Sequence, residues 1–75
     1  MHRSTRTIGR LRQEALWERL TVLDRSQNWL AAEAGISRGH LSMLVNGKRA
    51  ASVRVQRRLL RALGLEDGDA LFTFE

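Results

Sequence analysis

Residues 27–47, QNWLAAEAGISRGHLSMLVNG, decide the fold. They read as two short helices joined at a glycine. Ser26 precedes the first and suits an N-cap, because its hydroxyl can accept a hydrogen bond from a free first-turn N–H. Leu30, Ala31 and Ala34 fall at helical spacing and form an apolar edge. Gly35 stands where a helix often closes in the left-handed backbone region, which costs glycine almost nothing. Ile36 follows as an apolar plug and Ser37 as a second N-cap. Leu41, Leu44 and Val45 give the second helix its buried edge, and Asn46-Gly47 stops it.

The residues not spent on burial carry the functional signal. Arg38, Gly39, Ser42, Met43 and Asn46 lie on the face of the second helix opposite Leu41 and Leu44. That face is polar, small near its start, and holds an arginine in its first turn. A helix of about ten residues is about 15 Å long. Such a rod fits a B-DNA major groove about 12 Å wide, entering by its N-terminal end.

The stretch resembles the helix-turn-helix of the lambda-repressor-like, or Cro/C1-type (XRE family), transcription regulators. The resemblance rests on Gln27, Leu30-Ala31, Ala34-Gly35-Ile36-Ser37, Leu41, Leu44 and Asn46-Gly47-Lys48, with no gap in the spacing. It continues through Leu63-Gly64-Leu65 and Asp69. Two residues depart from the pattern: Gly39 has no side chain at a position that often reads a base, and Trp29 is bulky where the family usually has a polar residue. The resemblance implies an all-α domain of four to five helices that binds double-stranded DNA in a sequence-specific way and is not an enzyme. It also implies that Gln27 contacts phosphate and can brace Arg38, and that Asp69 caps a short fifth helix. Related proteins bind as dimers on two-fold sites, with half-sites about 34 Å apart.

Composition sets bounds around this reading. A chain of 75 residues suits one domain with a small core. Cysteine is absent, so no disulfide framework or thiolate zinc site is available. No apolar run approaches the length of a membrane span. The basic N-terminus is not followed by a hydrophobic stretch, so a secretory signal is not expected and a cytoplasmic, nucleoid-associated protein of a bacterium or phage is. Charge is unevenly spread. Residues 1–65 hold all 13 basic residues and four acids, a balance of +9, and the last ten residues add four acids for the net +5. Twelve of the 13 are arginine, whose planar fork suits phosphate oxygens and guanine edges better than lysine does. A GC-rich genome also raises arginine, and the two explanations are compatible.

Upstream of the motif, residues 1–7 are polar and basic, an expected flexible arm. Arg3 and Arg6 either follow the DNA backbone, as arms of related domains do, or belong to a solvated start. Residues 8–75 form the expected DNA-binding domain. Residues 8–23 read as one amphipathic helix with Ile8, Leu11, Ala15, Leu16, Leu20 and Leu23 in its stripe and Trp17 at its margin. Downstream, Ser52 caps a fourth helix to about Leu63. Val55, Leu59, Leu60, Ala62 and Leu63 face inward, and Arg54, Arg57, Arg58 and Arg61 outward. Gly64 ends that helix and Leu65 tucks back. Leu71, Phe72 and Phe74 close the core, form a dimer contact or in part serve both, and the alternation after Leu71 permits a short strand.

Arg38, Gly39, Ser42 and Met43 are the base-reading candidates: Arg38 through guanine O6 and N7, Met43 through an apolar contact such as a thymine methyl. Gln27, Asn28, His40, Asn46, Lys48, Arg49 and Arg54 are the phosphate-binding candidates. The free N–H groups at the start of the first motif helix add an anion site there. His2 and His40 lack ligand partners in sequence, so neither a metal nor another cofactor is expected. The expected function is a small repressor or Cro-like regulator, a homodimer at least on DNA. The alternative is a protein-interaction module or antitoxin-like regulator acting through a protein partner. Nothing resembles a nucleophile–base pair or a phosphate loop.

Overall fold

The computed structural model describes residues 8–74. The order is β1 (Gly9–Leu11), α1 (Gln13–Leu23), α2 (Gln27–Ala34), α3 (Arg38–Val45), α4 (Val53–Leu63), a single 3-10 turn (Gly68–Ala70) and β2 (Phe72–Phe74). The expected arm at residues 1–7, with Arg3 and Arg6, lies outside the described residues.

Three helices start as their serines dictate. Ser26, Ser37 and Ser52 each accept a hydrogen bond from the N–H three residues on, at Trp29, His40 and Val55, over 3.0, 2.9 and 3.3 Å. One orphan donor per helix is thereby satisfied. α2 closes at Gly35, φ 74°, whose N–H reaches back to the Ala31 and Ala32 carbonyls. An L side chain at that φ would be strained, so the angle between α2 and α3 depends on glycine there.

The apolar edges converge on one core. Leu16, Leu30, Leu41, Leu44, Leu59 and Leu71 are fully buried, and Leu20, Leu63 and Phe72 nearly so. Dry contact among these side chains, each worth about 1.5–3 kcal/mol when removed from water, is what holds four short helices together. α2 is the common neighbour of α3 and α4. Side chains of α1 tie the ends of two other helices: Gln13 Nε2 donates to the Val45 carbonyl at 3.2 Å, and Arg19 Nε to the Leu63 carbonyl at 2.9 Å. Both carbonyls lie in last turns that lack intrahelical partners.

The structure corrects the sequence reading at both ends. The first helix begins at Gln13, not at Ile8, and Ile8 is half exposed. Residues 9–11 instead form a strand, antiparallel to β2 with Gly9 opposite Phe74 and Leu11 opposite Phe72. The fold is therefore mostly helical with a two-stranded sheet. The physical reason is local: glycine is a poor helix former, and the Arg12 N–H finds the Leu71 carbonyl at 2.8 Å rather than a helical partner. The short strand after Leu71, allowed by alternation, is present. The expected fifth helix shrinks to the 3-10 turn. Its cap is Asp67, whose Oδ1 accepts from the Asp69 N–H at 3.0 Å, and not Asp69 itself.

The same sheet decides between the two roles offered for the C-terminal apolar residues. Leu71 is fully buried and Phe72 is 2% exposed, both inside the protomer. These two side chains are consumed by the core, so they are withdrawn as dimer contacts. Phe74 is half-buried, its ring 6.3 Å from that of Phe72.

Candidate nucleic-acid interface

α3 is held at both ends and sealed along one side. Ser37 caps its start. At its end the Lys48 N–H donates to the Met43 carbonyl at 2.9 Å, closing the turn through Asn46-Gly47. Leu41, Leu44 and Val45 form the dry side. On the other side Arg38, Gly39 and Met43 are exposed, and Met43 keeps 43% of its surface in water. Its thioether is therefore accessible from outside the protomer. No atom lies within 4 Å of where a Gly39 side chain would begin. That stretch of backbone is open to close approach by another molecule.

Ser42 and Asn46 are less free than the sequence implied. Asn46 Nδ2 donates to Ser42 Oγ at 3.3 Å, and Ser42 is half-buried. The pair presents one joined polar edge one turn beyond Arg38. His40 is half-buried within the first turn of α3.

The phosphate candidates lie on α2, α3, the loop after α3 and the start of α4. Gln27 and Asn28 start α2, whose first-turn N–H groups carry the positive end of the helix dipole. Lys48 and Arg49 lie exposed in the loop after α3, and Arg54 is exposed in the first turn of α4. None of the assigned polar residues is buried. Trp29 faces elsewhere. It packs against the core, with the Arg25 guanidinium 5.1 Å from its ring centre, near Leu23, Ala62 and Leu63. Its bulk, unusual for that position, serves helix packing. Trp17 stays at the margin, 49% exposed, in a shallow hollow shared with Thr21 and Gln27.

Two supports of the site were not singled out from sequence. Arg58 Nη1 donates to the Gly35 carbonyl at 3.4 Å, bracing the turn that aims α3. Gln56 is 6% exposed, and its Nε2 donates to the Ala51 carbonyl at 2.9 Å, fixing the loop that leads out of α3. The signal for Gln56 was present: it is the one polar residue on the inner face of α4. Among the described residues no cluster of His, Cys, Asp and Glu could hold a metal ion. No helix among them is long and apolar enough to cross a membrane.

Known proteins share the fold. A family model described as a helix-turn-helix domain matches residues 5–71. A similar solved structure is the restriction-modification controller protein C.AhdI from Aeromonas hydrophila. It is 28% identical with a TM-score of 0.68, covering 77% of this chain and 86% of that one. No curated protein matches the chain. A capped helix with one dry and one open face, joined through Gly35 to a second helix and matched over most of its length, places this chain in the helix-turn-helix family of Cro/C1-type, DNA-binding transcriptional regulators.

Proposed function

We propose that the protein recognises a specific double-stranded operator through the outer face of α3 in the major groove, as a homodimer on a two-fold site, and acts as a small repressor or controller. The observation that carries this reading is the division of α3 itself. Leu41 and Leu44 are wholly buried while Arg38, Gly39 and Met43 stand open. Backbone contacts from Gln27, Asn28, His40, Asn46, Lys48, Arg49 and Arg54 supply position and most of the affinity; base edges supply the choice. The likeness to a restriction-modification controller protein supports a regulatory role.

The test begins with selection of bound sequences from a random duplex pool. A two-fold consensus with half-sites one turn apart is the expected result. Anisotropy titrations of mixed-sequence duplex should weaken steeply with salt, by about 0.9 log units per log unit of salt for each phosphate contacted. A flat salt response with no consensus defeats the proposal and favours a protein-interaction module. Sedimentation should find two protomers per operator; a single protomer without cooperativity removes the dimer.

A further inference from the structure

α4 carries Arg54, Arg57, Arg58 and Arg61, all exposed. Spacings of three, four and seven place them on one face of a helix, opposite the side that buries Gln56, Leu59 and Leu63. Nothing on the helix offsets them, because VRVQRRLLRAL contains no acid. Among the described residues no carboxylate pairs with Arg54, Arg57 or Arg61. Like charges three and four apart destabilise a helix, so the isolated chain carries four mutually repelling cations on one face. The helix dipole accounts for Arg61 in the last turn but opposes Arg54 in the first.

The stripe joins the reading helix at one place. Arg58 is held on the Gly35 carbonyl, in the turn that immediately precedes Ser37 and Arg38. Arg61 sits beside it, with Glu33 and Ala34 at the C-terminal end of α2. From there the stripe runs along a different helix. Arg54 to Arg61 spans about 10 Å at 1.5 Å per residue. Measured along the axis of B-DNA, where one strand carries a charge about every 3.4 Å, that length covers about three phosphates. Guanidinium forks suit phosphate oxygens in pairs.

We propose that this stripe is a second phosphodiester-backbone surface, and that it takes the flank of the same duplex that α3 reads, drawing the flank toward α4. The proposal rests on the DNA-binding reading above. Arg54 serves both surfaces; Arg57 and Arg61 belong to the second alone.

The experiment compares the full chain with the variant Arg57→Gln/Arg61→Gln on two duplexes carrying the selected operator, one of about two helical turns and one of about five. Circular dichroism melts confirm that both proteins fold. On the long duplex the variant's plot of log affinity against log salt should be shallower by about 1.8, or 0.9 for each of two phosphates. On the short duplex the slope should not change, and Arg38-dependent discrimination should persist on both. Arg57→Lys/Arg61→Lys, which keeps the charge, should retain the steep slope. An unchanged slope on the long duplex overturns the proposal. So does an equal loss on the short one, which would put these arginines over the half-sites. If the wild type binds no DNA, the parent reading falls and takes this one with it. Intact discrimination beside an unmoved slope removes this inference alone.

Discussion

Arg38 and Arg49 both face water, yet they stand on different supports. Arg38 opens a capped helix beside a glycine that leaves room for close approach, so its backbone is fixed. Arg49 sits in a loop and can follow a phosphate wherever the backbone runs. Arg38→Ala is therefore expected to cost about 1–3 kcal/mol on the operator and to relax choice at one base pair. Arg49→Ala should weaken specific and random duplex by the same factor. Equal losses on both DNAs for both variants would contradict this division. A third residue tests the packing beneath the site. A side chain at Gly9 would begin 2.9 Å from Gln56 Nε2 and 3.2 Å from the Phe74 ring. Gly9→Ala should destabilise by about 1–3 kcal/mol in urea unfolding, through displacement of the amide that holds the Ala51 carbonyl. The exposed place of Arg38 at the start of α3 was readable from sequence because caps and spacing act locally. Gly9 and Gln56 were not read as partners, because their contact depends on a strand pairing that no local pattern encodes.

Among the elements, the helices with serine caps were the most legible. α2, α3 and α4 begin after Ser26, Ser37 and Ser52, as expected. Ser37→Ala should cost about 1 kcal/mol of stability, and it frays the first turn that presents Arg38. Thermal unfolding and operator affinity should therefore fall together, while Ser52→Ala lowers stability with less effect on base choice. A Ser37→Ala protein that melts lower but binds unchanged would show that the cap does not position the reader. α1 was misjudged at its start for a physical reason. Ile8 and Leu11 lie three apart, which suits a helix, while Gly9 and Leu11 alternate, which suits a strand. Arg12, before the first turn, makes no side-chain cap. The C-terminal turn failed likewise, since two aspartates stand two apart and either can cap.

At the scale of the molecule, the C-terminal strand closes the core that the helices build. Phe72 is 2% exposed and projects from β2 into the leucine core. Phe72→Ala should cost about 3–5 kcal/mol, a large share of the 5–15 kcal/mol typical of such domains. A chemical denaturation midpoint near that of the wild type would mean that the helices hold without the sheet. The core as a whole was legible from apolar spacing. Its closure was not, because assigning Leu71 and Phe72 to the core rather than to a second protomer required knowing what lay above them.

The pairing of Gly9 with Phe74 sets how the protein answers to pulling. Tension drawn through the two ends of an antiparallel pair acts at its open edge, so the rungs break in succession and never share the load. Under traction Gly9–Phe74 is expected to part before Leu11–Phe72, together with the bridge that also ties Gly9 to Ala51.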